Sequence, residues 1–262
     1  MNQHISAHSG LATDVHLKNL SLTYNDSEQA LFSNLNLRLP SGQWTCLLGK
    51  SGCGKTTLLR HVAGLLDAQI NWSGELITSD NQPLSNRIAY MAQQDLLLPW
   101  LTVLDNVCLS QRLGIRPNQA SATKSETDKA IELLEAIDLK QYASAMPQQL
   151  SGGMRQRVAL ARTLMQNKSL VLMDEPFSAL DAVTRYKLQN LSAQLLKGCT
   201  VLLITHDPQE ALRLGHSIYV MSGKPAQLTS LEVPLTPPPR TFNAETAVHQ
   251  QAIIELLEQD YG

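Results

Sequence analysis

Trp44-Thr45-Cys46-Leu47-Leu48-Gly49-Lys50-Ser51-Gly52-Cys53-Gly54-Lys55-Thr56-Thr57 is the stretch on which the fold turns. An apolar run of strand length leads into a loop of the pattern G-x-x-x-x-G-K-[ST]. Leu58, Leu59, Val62, Ala63 and Leu66 then recur at helical spacing. Strand, glycine loop and helix in that order make a phosphate site. The glycines let the backbone turn tightly enough for successive N–H groups to face phosphate oxygens, and the helix aims its positive N-terminal end at the same anion. Lys55 is expected to reach the β- and γ-phosphates of a nucleotide, and Thr56 to hold Mg²⁺ through its hydroxyl.

Downstream, Ser169-Leu170-Val171-Leu172-Met173-Asp174-Glu175-Pro176 reads as a fully buried strand that ends in two carboxylates. Such runs suit a parallel sheet, whose ligand sites lie at the carboxyl ends of its strands. Asp174 is expected to face the metal and Glu175 an attacking water; the alternative is an acidic turn that caps the next helix. Thr200-Val201-Leu202-Leu203-Ile204 is a second buried strand and ends at Thr205-His206-Asp207. A histidine at a strand end is often a satisfied surface residue. Sharing a sheet edge with a phosphate loop and a carboxylate pair, His206 is instead expected to contact the γ-phosphate. Between these stretches and the phosphate loop lies Leu150-Ser151-Gly152-Gly153-Met154-Arg155-Gln156. Ser151 can cap a helix with Met154, Val158, Ala161 and Met165 on one face, and two glycines behind the cap leave its N–H groups accessible. This is a second phosphate site in the same chain.

The remaining chain frames these sites. Residues 1–13 are polar and patternless, and read as a flexible tail. Val15, Leu17, Leu20, Leu22 and Tyr24, then Leu35, Leu37 and Leu39, alternate as antiparallel strands with one buried face do. Tyr24 is either a plain core aromatic or a stacking platform for a base. Gly64 to Asp67 closes the phosphate-loop helix, and Ser73–Ile77 and Arg87–Met91 read as short strands. From Leu96 to Val107 many apolar residues surround a Pro-Trp pair, which implies either a surface that docks onto something or the core of an internal lobe. Gly114 to Ser125 reads as loop, and Thr127 to Leu139 as a helix burying Ala130, Leu134 and Ile137. Ser178-Ala179-Leu180-Asp181 precedes a helix with Thr184, Leu188, Leu191 and Leu195 on one face. Ile218–Met221 is expected to be the last strand. A proline-rich link then leads to a short amphipathic terminal helix, in which Val248, Ala252 and Leu256, with Ile253 and Leu257 beside them, are expected to pack on its own domain.

Length and charge narrow the class. The 262 residues suffice for one α/β domain with an inserted lobe, and a net charge of -2 gives no reason to expect nucleic acid or an anionic membrane surface as partner. No window holds the roughly 18 apolar residues of a spanning helix, and Met1–Ser6 lacks a charged-then-apolar leader, so the protein is expected to be made and kept in the cytoplasm. Cys46, Cys53, Cys108 and Cys199 match neither zinc nor redox spacing. Three sit in apolar runs and are expected to be inert. Cys53 lies beside Lys55 in the phosphate loop, where a thiolate is favoured and where alkylation is expected to block nucleotide binding.

Taken together, these motifs resemble the ATP-binding cassette ATPases, the nucleotide-binding subunits of ABC transporters, over roughly Val15 to Gly223. In order come aromatic Tyr24, Walker A at Gly49 to Thr56, Gln93 of the Q-loop, the signature Leu150 to Gln156, Walker B at Leu170 to Glu175, the D-loop Ser178 to Asp181 and the switch histidine His206. The resemblance implies an α/β fold: a phosphate-loop NTPase cassette with a RecA-like core, an antiparallel β subdomain and an inserted α-helical subdomain. Residues 14–223 form the ATPase domain, with the helical part at about 94–165, and residues 224–262 form a Pro-rich link and terminal helix.

The resemblance also implies a head-to-tail homodimer with two ATPs at its interface. Walker A (Gly49, Lys50, Ser51, Gly52, Cys53, Gly54, Lys55, Thr56 and Thr57) with Tyr24 binds each nucleotide. Ser151, Gly152 and Gly153 of the other subunit close over its γ-phosphate, and Gln156 and Asp181 are counted among the nucleotide-binding residues. Glu175 is then the general base, His206 holds the γ-phosphate, and Gln93, with Thr56 and Asp174, attends Mg²⁺ and links it to the helical lobe. Leu97-Leu98-Pro99-Trp100-Leu101-Thr102-Val103-Leu104-Asp105-Asn106-Val107 is similar to the Q-loop region of nitrate, sulfonate, taurine and thiamine-precursor pyrimidine importers. That implies a peripheral subunit at the cytoplasmic face of the inner membrane, working with an integral permease and, indirectly, an extracytoplasmic solute-binding protein. The alternative is a soluble cassette ATPase acting on ribosomes or nucleic acid. Such proteins usually carry two cassettes or a long coiled-coil insertion, and this chain has neither.

Overall fold

The computed structural model describes residues 12–66, 68, 70–113 and 124–259. Strands β1 (Val15–Tyr24), β2 (Phe32–Leu39) and β3 (Trp44–Gly49) lead to helix α1 (Lys55–Val62), then β4 (Ile70–Thr78) and β5 (Ile88–Met91). Helices α2 (Val103–Val107), α3 (Leu109–Leu113), α4 (Lys124–Ala136) and α5 (Gly152–Met165) follow. The chain continues through β6 (Leu170–Asp174), α6 (Ala182–Leu195), β7 (Thr200–Ile204), α7 (Pro208–Leu214), β8 (Ser217–Ser222), β9 (Gln227–Leu231) and α8 (Ala244–Gln259).

Two sheets result. The antiparallel one has the order β2-β1-β4, and the larger one β5-β6-β7-β3-β8-β9, parallel except for the edge strand β9. Residues on β3, β6 and β7 alternate between two cores. Leu47, Leu170, Leu172, Leu202 and Ile204 face α1 and the antiparallel sheet, while Cys46, Leu48, Val171, Met173, Val201 and Leu203 face the helices of the other layer. With both faces buried, these strands read as continuous apolar runs. The parallel register brings the ends of β3, β6 and β7 to one edge, where Gly49, Asp174 and Ile204 begin the loops that carry the chemistry.

The helices from α2 to α5 pack on one another, with α5 at the centre. The apolar stretch after Gln93 proves to be of two kinds. Leu97, Val103 and Val107 are buried in the lobe, whereas Leu96 and Trp100 stand 57% and 69% exposed. Asn106 holds the bend between them. Wholly buried, it accepts from the Leu98 N–H at 2.8 Å and donates its amide to the carbonyls of Leu98, Leu101 and Thr102 at 3.0–3.1 Å.

Several expectations need correction. Ile218–Met221 is not the last strand: β9 pairs antiparallel with β8, Ser222 opposite Gln227. The terminal helix does not bury Val248, which is 71% exposed, nor Ala252. Ile253, expected beside them, is 2% exposed, as is Thr246, and Leu257 packs partly buried on the same core, so the helix lies on its own domain but with a different face inward. The helix expected from Thr127 spans Lys124–Ala136, and Ala130, Leu134 and Ile137 are buried as expected. The expected tail through residue 11, Asp67 at the close of the first helix and most of the Gly114–Ser125 loop lie outside the described residues.

Candidate functional site

The loop between β3 and α1 is shaped by three glycines with positive φ: Gly49 at 154°, Gly52 at 81° and Gly54 at 106°. Gly54 sits in the left-handed region directly before α1. A Cβ there would lie 2.7 Å from the Phe32 ring, so both backbone angle and space demand glycine. The first N–H groups of α1 open onto this loop, where the helix itself cannot satisfy them. Lys55, only 8% exposed, curls back and donates to the carbonyls of Gly49 at 2.7 Å and Lys50 at 2.8 Å. Its ammonium therefore stands inside the ring of the loop. Ser51 and Gly52 form the exposed tip. Cys53 is buried in the core cluster beside Phe32, with Lys55 Nζ 3.9 Å from its Sγ. The charge that favours a thiolate is thus close, and the sulfur is shielded from solvent.

Tyr24 ends β1 as an exposed ring whose hydroxyl pairs with that of Thr57 at 3.0 Å. It is not a core aromatic. On the far side of the loop, Thr56 Oγ1 donates to Asp174 Oδ2 at 2.7 Å. Asp174 is 2% exposed, and burial raises its pKa above the ordinary carboxylate value; the Thr56 bond and Lys55 oppose this, and neighbouring Glu175 adds to it. A desolvated carboxylate hydrogen-bonded to a hydroxyl supplies oxygen donors of the kind a hard divalent cation takes.

Glu175 bends sharply out of the strand end at a φ of 48°, a left-handed angle uncommon for a residue with a side chain. Its N–H still donates to Ile204 O at 2.9 Å, and its carbonyl accepts from Ser178 Oγ at 3.0 Å and Gln156 Nε2 at 3.2 Å. The turn directs the carboxylate toward two other predicted residues. Glu175 Oε2 is 3.1 Å from His206 Nδ1 and 3.4 Å from Gln93 Nε2. Three residues from three different strand ends thus meet at one oxygen.

Ser151, Gly152 and Gly153 begin α5, where the Ser151 hydroxyl accepts from the Met154 N–H at 3.3 Å and Gly152 is exposed. They take no part in the bonds among Thr56, Asp174, Glu175, Gln93 and His206. Gln156, expected among the nucleotide-binding residues, is placed otherwise. It is 6% exposed, and its amide is engaged by the carbonyls of Glu175 and Pro176. Asp181 caps α6 by accepting from the Thr184 N–H at 3.0 Å, a bond that holds its pKa below the ordinary value.

Three arginines, Arg155 within the signature and Arg162 and Arg185 outside every motif, tie these loops together. Arg155 pairs with Asp95 at 2.9 Å, and Arg162 donates to the carbonyls of Asp95 and Leu96, so the segment after Gln93 is fastened to α5. Arg185 lies one turn beyond Asp181. It reaches the carbonyls of Phe177 and Leu180 on one side and Asp207, beside His206, at 3.5 Å on the other.

Away from this edge, a groove of about 1180 Å³ runs between the end of α1, β4 and the start of the helical lobe. Leu65, Trp72 and Leu113 line it and are more than half exposed. His61 packs edge-on against the Trp72 ring, centroids 4.6 Å apart.

Residues 32–178 match the model of a family described as ABC transporter. A protein of Haemophilus influenzae named as an uncharacterised ABC transporter ATP-binding protein is 43% identical over 94% of this chain and 96% of its own length. An aliphatic sulfonates import ATP-binding protein of Xanthomonas axonopodis pv. citri is 39% identical over 86% of this chain and 88% of its own. Among solved structures, the dimeric, post-hydrolysis form of the ATP-binding cassette MJ0796, bound to ADP and Pi, is 31% identical. It superposes with a TM-score of 0.70 over 87% of this chain and all of that one.

Proposed function

From a chain that belongs to the ABC transporter family, and that is an ATPase of the cassette fold, we infer the energy-supplying subunit of an importer for a small sulfonate-type solute. The convergence of Gln93 and His206 on Glu175, beside the Thr56–Asp174 pair and the glycine loop, is the observation that carries the catalytic part of this reading. The N–H groups of Gly52, Gly54 and the first turn of α1 cradle the phosphates. Lys55 moves from the loop carbonyls onto the β- and γ-phosphates, and Tyr24 stacks on the base. Thr56, Asp174 and Gln93 supply oxygens for Mg²⁺, which when bound neutralises charge on the β- and γ-phosphates. Glu175 accepts the proton of the attacking water, and His206 donates a hydrogen bond to the phosphoryl group in transfer.

Ser151, Gly152 and Gly153 stand apart from this cluster, so the reading assigns them to the nucleotide of a second copy in a head-to-tail homodimer. The importer part rests on the relatives' names and on the groove. A short apolar-faced helix of an integral permease occupies it, between Leu65, Trp72 and Leu113. No helix among the described residues is long and apolar enough to cross a membrane. The subunit works at the cytoplasmic face by attachment to that permease, and a solute-binding protein meets it only through the permease. The test is purification of the tagged full-length chain from detergent-solubilised membranes. A multi-spanning permease recovered in one-to-one ratio, with ATPase stimulated by an alkanesulfonate and its binding protein, is expected. Soluble partners alone would remove the importer reading and leave the ATPase.

A further inference from the structure

Beyond β9 the chain doubles back over α7, the short helix that starts one residue after the His206-Asp207 pair. Residues 234–240 form a strap across the end of this helix, and Arg240 is its anchor. The Arg240 side chain is turned inward and 5% exposed. Its Nη1 donates to the carbonyls of Leu212 and Gly215 at 2.7 Å, both at the C-terminal end of α7. Its Nη2 and Nε donate to Pro234 O at 3.0 Å and Thr236 O at 2.6 Å, which folds the strap around the guanidinium. The backbone joins in: Arg240 N donates to Arg213 O at 2.8 Å, and Arg240 O accepts from Arg213 Nη1 at 2.9 Å.

A buried guanidinium is costly to desolvate, and here carbonyl oxygens alone receive its hydrogen bonds among the described residues. The site at the end of α7 is where such a cation is favourable, because the last carbonyls of a helix lack intrahelical donors and carry its negative pole. At its other end α7 is capped by Asp207, which accepts from Gln209 N at 2.9 Å. On the α6 side the strap is not in close contact. A cleft of about 230 Å³, lined by Arg185, Tyr186, Arg213 and Phe242, lies between them. The fixed length of α7 therefore makes Arg240 a determinant of where the helix begins, and its beginning carries His206.

We propose that Arg240 is a positioning residue for the switch histidine: the C-terminal strap clamps α7 from behind and so sets the approach of His206 to Glu175 and to the γ-phosphate. This rests on the catalytic reading of His206 given above. The clamp touches no group of the phosphate loop. Loosening it slows turnover and leaves nucleotide affinity in place.

The test compares four full-length variants, each assayed for unfolding temperature, ATP Kd, and kcat and KM for ATP. Arg240→Met removes every donor and keeps the stem, Arg240→Lys retains a charge with fewer donors, and His206→Ala marks loss of the switch itself. Leu35→Ala, in the antiparallel sheet, is a control for lost stability. Arg240→Met is expected to lower kcat about tenfold with Kd and KM within about twofold, and Arg240→Lys to fall between it and wild type. Leu35→Ala is expected to keep its kcat per folded molecule. The His206 ring proton resonance should shift in Arg240→Lys and stay in place in Leu35→Ala; this readout decides the matter if Arg240→Met does not fold. Wild-type kcat with an unshifted His206 resonance in the Arg240 variants would overturn the clamp, as would an equal kcat loss in Leu35→Ala. Wild-type turnover in His206→Ala would instead overturn the catalytic reading on which the clamp depends.

Discussion

Replacing Glu210 by Gln should make the protein more stable in alkali, and the size of the gain follows from the position of the side chain. Glu210 lies on α7, 4% exposed, and burial pushes its carboxyl from an ordinary 4.5 up to about 7. Gln189 Nε2 donates to it at 3.1 Å, and the Thr205 hydroxyl and Arg185 also favour the charged form, but they do not offset the desolvation; Asp207 adds to it. The folded value lies above the unfolded one, so the folded chain holds this proton more tightly. The stabilisation is fully present below about pH 4.5 and is lost as pH rises through about 7. Gln is neutral at every pH and keeps an oxygen for Gln189. From those two pKa values, the wild type should lose about 2.5 kcal/mol relative to Glu210→Gln between pH 5 and pH 8. In a chain of this size that widens the gap in unfolding temperature by about 5–10 °C. Thermal unfolding of both proteins in a buffer series across that range measures the gap directly. Parallel curves would refute the reasoning, because they would mean that Glu210 binds its proton equally in the folded and unfolded states.

Glu175→Gln should reduce phosphate release at least about 100-fold while ATP still binds and a nucleotide-bound dimer accumulates on gel filtration; near-wild-type turnover would remove Glu175 from the role of base. Gly54→Ala forces a side chain into a left-handed angle and against Phe32, and should cost about 2 kcal/mol of stability. Its ATP affinity, followed by titration of a fluorescent analogue, should fall at least about tenfold, because the distorted turn carries the phosphate-facing N–H groups. Asn106→Leu leaves a buried N–H and several carbonyls without their partner. A loss of about 3 kcal/mol in urea unfolding is expected, and a loss below about 1 kcal/mol would show that those groups find other partners.

The parts of the molecule visible in its sequence are those with a local signature. A glycine loop between an apolar strand and an amphipathic helix declares itself. So do Leu170–Asp174 and Thr200–Ile204, whose uninterrupted apolar character follows from burial on both faces. Strand β9 has no such signature. Gln227-Leu228-Thr229-Ser230-Leu231 borders a proline-rich link, pairs along one edge only, and is largely solvated. In helix α8 the spacing of Val248, Ala252 and Leu256 points to one inward face, whereas Thr246, Ile253 and Leu257 are the side chains that reach the core, a mixed stripe with no regular apolar period. The segment after Gln93 could not be apportioned between core and surface because Leu96 adopts a φ of 45°, which breaks any regular period. Asn106, Arg185 and Arg240 bind backbone carbonyls, those of Arg240 as distant as Leu212 and Gly215, and no pattern of side chains encodes where a carbonyl will lie.

The grip of Arg155 and Arg162 on residues 95 and 96 has a mechanical meaning. Because both arginines belong to α5, the helical lobe and the stretch that begins at Gln93 behave as one stiff lever. Its outer end carries Leu96 and Trp100, and its inner end touches the carboxylate of Glu175. With residues 95 and 96 held to α5, a displacement of the outer end is expected to reach the Gln93–Glu175 contact as a change in its 3.4 Å distance, with little slack in between to take it up.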